Sequence, residues 1–254
     1  MQQKFALPLY SLLLLSGLYA ANISANAQTT TPSDDCRASP PLQANDKDEG
    51  QYGWSHLWRY CKENAQLGPP AAGESRIVFF GDSITEAWNL ATSFPGKPYV
   101  NRGISGETTS QMLLRFRQDV VDLSPKAAVV LAGTNDIAGN TGPISLKAIE
   151  ENIASMVEIA QANGVRVILS SVLPAFDYPW RHGQQPVEKI AALNGWLKGY
   201  ASAHGLVYLD YYSAMQDERH GLPLSLSFEG VHPNGAGYAV MKPLAEKAIA
   251  QALN

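Results

Sequence analysis

Arg76-Ile77-Val78-Phe79-Phe80-Gly81-Asp82-Ser83 is an apolar run that passes directly into a glycine turn ending on a hydroxyl. A short continuous apolar run stopped by turn residues is the pattern of a strand covered on both faces. Working outward, four more β-rich runs follow at Tyr99 to Asn101, Ala127 to Leu131, Val165 to Val172 and Leu206 to Leu209, the second being the weakest. Between and after them the spacing predicts helices over Thr108 to Asp122, Ser145 to Asn163, Val187 to His204 and Asn234 to Leu253. Gly164 and Gly205 stand just past two of these as stop signals. Strands alternating with helices predict an α/β domain whose parallel sheet carries helices on both faces.

In such a sheet, ligands collect outside the carboxyl ends of the strands. Three turns occupy that place: Gly81-Asp82-Ser83, Asn101-Arg102-Gly103-Ile104-Ser105-Gly106, and Gly133-Thr134-Asn135-Asp136. Each alone is an ordinary turn signal. Near the C-terminus, Glu229-Gly230-Val231-His232-Pro233 supplies an imidazole with a carboxylate three residues before it. A serine hydroxyl is a poor nucleophile until an imidazole takes its proton, and that imidazole needs a carboxylate to fix its tautomer. Pro233 restricts His232 to extended backbone, which holds it out of the helix that follows.

Composition limits what this site can serve. The 254 residues are 45% hydrophobic and 17% charged, as in a soluble globular domain, and the net charge of -4 comes without a Lys/Arg stripe. Nucleic acid is not the expected partner. No His/Cys/carboxylate cluster has metal-ligand spacing, and no Gly-rich phosphate motif is present, so neither metal nor cofactor is expected.

Residues 1–27 read as a signal peptide: Lys4 is the charged start, Leu7 to Ala21 the apolar stretch, and Ala25-Asn26-Ala27 the cleavage site. Pro8, Ser11, Ser16 and Gly17 break that stretch as a membrane span, so no stable span is expected after cleavage. The expected location is exported, periplasmic or extracellular. In that setting Cys36 and Cys61 can form a bridge, for which loop closure allows on the order of 3 kcal/mol; two unpaired thiols are the alternative. Residues 28–75 read as an extension with one helix, whose Trp54, Leu57, Trp58, Cys61 and Ala65 recur on one face and are expected to dock on the main domain at 76–254.

Taken together, the four blocks resemble the SGNH or GDSL hydrolases, over Arg76 to about Leu253. Asn101-Arg102-Gly103-Ile104-Ser105-Gly106-Glu107-Thr108-Thr109 is most similar to the branch of platelet-activating-factor acetylhydrolase-like and bacterial lysophospholipase-like esterases. The resemblance implies a three-layer α/β/α sandwich with a five-stranded, mainly parallel, flavodoxin-like sheet. It also implies a catalytic Ser83, Glu229 and His232, and an oxyanion hole built from Ser83, Gly103 and Asn135.

One position departs from the family pattern: the residue three before the histidine is usually Asp, and here it is Glu229. Its extra methylene changes reach and adds a rotamer to hold. A solvated loop carboxylate is the other reading of Glu229. Asp82 and Asp210 read as turn supports; His56, His182, His204 and His220 suit surface, docking or helix-end positions. Trp88, Phe94, Phe176, Tyr178, Trp180 and Phe228 flank the site, either to wall an apolar pocket or stack on a sugar, or simply as core. The expected substrate is a small acyl ester, an acetylated carbohydrate or a lysophospholipid-like molecule; the alternative is a binding module that keeps the fold without turnover.

Overall fold

A computed structural model describes residues 54–254. The expected signal peptide, most of the extension and Cys36 lie outside the described residues. Five strands form one wholly parallel sheet: β1 (Ile77–Gly81), β2 (Tyr99–Gly103), β3 (Ala127–Leu131), β4 (Arg166–Ser170) and β5 (Val207–Leu209), in the order β2-β1-β3-β4-β5. This is the flavodoxin-like order, and its switch point lies between β1 and β3. Both central strands are buried from end to end, as continuous apolar runs require.

The helices are α1 (Cys61–Leu67), α2 (Ser83–Glu86), α3 (Leu90–Ser93), α4 (Thr109–Asp119), α5 (Thr134–Ala138), α6 (Leu146–Ala162), α7 (Pro186–Ala203), α8 (Tyr212–Met215) and α9 (Gly235–Leu253). Strand alternation sorts the core into two layers. Val78, Phe80, Ala128 and Val130 face α4, α6 and α7 through Met112, Phe116, Ile153, Met156 and Leu193. Ile77, Phe79, Val129 and Leu131 face α9 through Met241, Ala245 and Ile249, together with Trp88 and Phe94. Helix starts follow their caps: Ser145 Oγ accepts from Ala148 N at 3.2 Å, and Asn234 Oδ1 from Ala236 N at 2.9 Å. The helices before Gly164 and Gly205 stop at left-handed glycines, φ 71° and 64°.

Several boundaries move for identifiable reasons. The second strand runs on to Gly103, because it pairs with β1 in register up to Gly81. β4 is shorter than the Val165 to Val172 run: Val172 is held by a side chain, its N–H donating to Asn194 Oδ1 at 2.8 Å while its carbonyl accepts from Asn194 Nδ2 at 3.0 Å. α4 stops at Asp119 because Val120 leaves helical geometry, and a 3₁₀ turn, Val121–Leu123, follows.

The N-terminal segment contacts the rest differently from expectation. α1 begins only at Cys61, so residues 54–60 lack the helical spacing that would gather the apolar stripe, and Trp54, Leu57 and Trp58 are exposed. Attachment is polar instead: Gln111 Nε2 donates to the Trp54 carbonyl at 2.7 Å, Gln118 Nε2 to the Leu57 carbonyl at 2.6 Å, and Asn64 Nδ2 to Asp119 Oδ1 at 2.7 Å. Tyr60 is the buried apolar contribution, and its hydroxyl donates to the Gly103 carbonyl.

Candidate active site

Ser83 opens α2 directly beyond the end of β1, where its N–H belongs to the first helical turn and has no intrahelical acceptor. Asp82 caps that turn, with Oδ1 accepting from Ile84 N at 2.9 Å. Asn101 holds the other end of the turn, its Nδ2 donating to the Thr85 carbonyl at 2.6 Å, and Tyr238 Oη donates to the Ile84 carbonyl at 2.8 Å. The serine is thus braced by β2 and α9.

His232 arrives on a turn closed by one antiparallel bridge, Ser227 with Pro233, in which Phe228 N donates to the His232 carbonyl at 2.9 Å and Asn234 N to the Leu226 carbonyl at 3.0 Å. Ser83 Oγ lies 2.9 Å from His232 Nε2. His232 Nδ1 is hydrogen-bonded to Glu229 Oε1, the same oxygen that accepts from His232 N at 3.0 Å. A carboxylate only accepts, so Nδ1 carries the ring proton and Nε2 is left to accept from the serine hydroxyl. The glutamate's added methylene is absorbed by folding its carboxylate back onto both the ring and the backbone of His232. The loop-carboxylate reading of Glu229 does not fit these contacts.

Asn135 is buried on α5, and its Nδ2 donates to the Glu107 carbonyl at 3.0 Å, leaving the second amide hydrogen for a ligand. Gly103 is placed differently from expectation. Its N–H already donates to Asn101 Oδ1 at 2.9 Å. A Cβ there would stand 2.2 Å from Glu86 N and 2.7 Å from the Asp82 carbonyl oxygen, so glycine serves close packing of β2 against the serine turn. The residue missed in the sequence is Gly106. The loop that carries it is strapped at both sides, with Ile104 N donating to the Gly81 carbonyl at 3.0 Å and Ser105 N to Glu86 Oε2 at 2.8 Å. Gly106 has φ 79°, and its N–H finds no acceptor among the described residues. The available signal was that Gly106 lies in the loop past the strand, whereas Gly103 can still pair.

Behind this loop is a buried charged network. Arg115 bonds Glu107 at 2.6 Å and Asp119 at 3.0 Å, all fully buried. Asp136 caps α4, accepting from Thr109 N at 2.9 Å and Thr109 Oγ1 at 2.6 Å. Burial pushes the Asp136 and Asp119 carboxyls up, opposed by Thr109 for the first and by Arg115 for the second. Burial also raises Asp82, to about 7, with His232 drawing it down and Asp136 and Glu107 adding to the rise.

The remaining candidates fall away from the centre. Asp210 caps α8 through Ser213, with bonds of 2.9 and 2.8 Å. His182 pairs with Asp177 at 2.7 Å, His220 with Gln216 at 2.7 Å and His56 with Glu107 at 3.0 Å, and His204 stacks on Tyr200. Of the flanking aromatics, Trp88, Phe94 and Tyr178 are core, while Phe176, Trp180 and Phe228 are exposed. The Trp180 ring lies 5.8 Å from the His232 ring, tilted 39°.

The curated lipoprotein YqeF of Bacillus subtilis is 31% identical over 134 residues, 45% of this chain, and the match spans 55% of YqeF's own length. The esterase TesA of Pseudomonas aeruginosa is 29% identical over 149 residues, which is 53% of this chain and 70% of TesA. A solved GDSL-like lipase from Bacteroides thetaiotaomicron is 44% identical, with a TM-score of 0.76 over 79% of this chain and 100% of that one. The family model for the GDSL-like lipases and acylhydrolases matches residues 79–240, from inside β1 to inside α9. With the sheet order, the placement of the site past the strand ends and the motif blocks all in agreement, the chain belongs to the GDSL-like lipase/acylhydrolase family.

Proposed function

We propose that this chain is an exported serine esterase that cleaves carboxylic esters through an acyl-serine intermediate. The observation that carries the reading is the hydrogen-bonded line Ser83–His232–Glu229 at the sheet's switch point. Ser83 Oγ attacks the ester carbonyl as its proton passes to His232 Nε2, and Glu229 stabilises the imidazolium. The carbonyl oxygen becomes an oxyanion held by the Ser83 N–H, the free hydrogen of Asn135 Nδ2 and the Gly106 N–H, which takes the place assigned to Gly103 in the sequence. The intermediate collapses, the C–O bond to the alcohol breaks, and His232 returns the proton to the departing oxygen. Water then attacks the acyl-serine, His232 takes its proton, and the acid leaves as Ser83 regains its hydrogen.

The substrate we favour is a short acyl ester, acetyl first, on a carbohydrate. The exposed Trp180 face beside His232 supports a ring-stacking platform for the alcohol portion. Export rests on the signal-like residues 1–27 and on the likeness to a lipoprotein, and it permits the Cys36–Cys61 bridge in the proposed extension at 28–75. Among the described residues no helix is long and apolar enough to cross a membrane.

The test is hydrolysis of nitrophenyl acetate and longer acyl esters by the wild type and by Ser83→Ala. Loss of turnover by about a million-fold, as for a triad serine, is expected, with acetyl preferred. Equal rates in both proteins would favour a binding module instead.

A further inference from the structure

The amide at Asn135 is held by residues outside the four sequence blocks. Asn140 lies just past α5 and donates Nδ2 to Asn135 Oδ1 at 2.9 Å and to the Gly106 carbonyl at 3.2 Å. Its N–H also donates to the Asn135 carbonyl at 3.0 Å. On its far side, Asn140 Oδ1 accepts from Trp180 Nε1 at 3.0 Å. The Trp180 ring lies 5.2 Å from the Tyr178 ring and 5.8 Å from the His232 ring, tilted to both and still exposed.

The chain of bonds has a direction. An indole N–H can only donate, so Trp180 obliges Asn140 to turn its oxygen outward and its NH₂ inward. That NH₂ in turn obliges Asn135 to turn Oδ1 toward Asn140 and Nδ2 toward the crevice, where the Glu107 carbonyl takes one hydrogen. A flipped Asn135 would present an oxygen to a developing oxyanion, which is repulsive. Asn140 also grips the carbonyl of Gly106, so one side chain sets two of the three proposed donors.

We propose that Asn140, oriented by Trp180, is a positioning residue that holds the Asn135 amide and the Gly106 loop in donor geometry. This rests on the esterase reading above. Trp180 thereby links the oxyanion side to the base side, since its ring packs on His232 while its N–H controls Asn140.

The experiment measures kcat and KM for nitrophenyl acetate in the wild type, Ser83→Ala, Asn140→Ala, Trp180→Phe, Asn135→Ala and the Asn135→Ala/Asn140→Ala double variant. Phenylalanine keeps a ring against His232 and removes the N–H, so Trp180→Phe stays informative even where Asn140→Ala folds poorly. Asn140→Ala and Trp180→Phe are expected to lower kcat by about tenfold to a hundredfold, below the roughly hundredfold to thousandfold for losing a donor outright. KM should stay within about twofold of the wild type, as for an interaction made only in the transition state. The double variant should be no slower than Asn135→Ala alone, because Asn140 has nothing left to orient. Unchanged kcat in both single variants, or a full additional loss in the double, overturns the proposal. Ser83→Ala as active as the wild type would instead overturn the esterase reading.

Discussion

The two sides of the crevice are built from opposite materials. On the proposed oxyanion side, Glu107 and Arg115 have no exposed side-chain surface, and Asn135 and Asp136 are buried beside them. On the base side, the His232 and Glu229 side chains are 33% and 35% exposed, on a turn whose neighbour Phe228 stands in solvent. The difference suits the two tasks proposed for them. Hydrogen-bond donors help a transition state only if they are already aimed and dry, since a mobile or hydrated donor spends the gain on reorganisation. A base must hand a proton to a departing alcohol and take one from water, so access to solvent does it no harm.

The sharpest way to break this comparison is to remove one group from each side. Asn135→Ala should cost about a thousandfold in kcat with little change in KM, the upper end for one donor in a dry site. Initial rates on nitrophenyl acetate measure it. The second comparison is of stability. Arg115→Leu leaves Glu107 and Asp119 buried without their cation and should destabilise the fold by about 3–5 kcal/mol. Denaturant unfolding reads this directly, and a loss below about 1 kcal/mol would mean that water reaches the network. Glu229→Ala should come next, at about a hundredfold in kcat, less than the roughly 10⁴ known for a triad aspartate, because water can partly replace an exposed carboxylate. Its unfolding midpoint should hardly move, as an exposed pair contributes about 1 kcal/mol or less. A Glu229 effect larger than that of Asn135 would reverse the contrast.

Per pH unit the smallest effect is that of Asp82, which lies between the sides and senses both. Its buried carboxyl is raised from 3.8 to about 7, so the folded chain keeps this proton over a range where the unfolded chain has lost it. The native state binds more protons there, and stability therefore falls as pH rises from about 4 to about 7. Asp82→Asn, which retains an oxygen for Ile84 N, should flatten that fall by up to about 1 kcal/mol per pH unit. Unfolding at pH 5 and pH 7 checks it, and parallel profiles would show that Asp82 titrates as an exposed group does.

Much of this is legible in the sequence. The parallel sheet follows from apolar runs and helical spacing, which are local. The placement of Ser83 and Asn135 in turns past strand ends follows from the same pattern, as does the isolation of His232 from the following helix by its proline. Two positions differ from the local pattern for separate reasons. Trp54, Leu57 and Trp58 look like a docking stripe only while residues 54–60 are taken as helix, and they are not. Gly103 looks like a donor until Asn101 is seen to occupy its N–H.

The sequence alone therefore determined the α/β class, the strand ends and the residue types gathered at them, because periodicity and turn chemistry act within a few residues of chain. Tertiary structure alone decided which glycine keeps a free N–H, how Glu229 folds back onto His232, and that Trp180 reaches Asn135 through Asn140. Only the last of these spans distant parts of the chain; the other two are contacts within three residues whose geometry the folded loops fix. A polar atom's partner is set by whatever the fold brings within about 3 Å, and the periodicity of apolar residues does not record it.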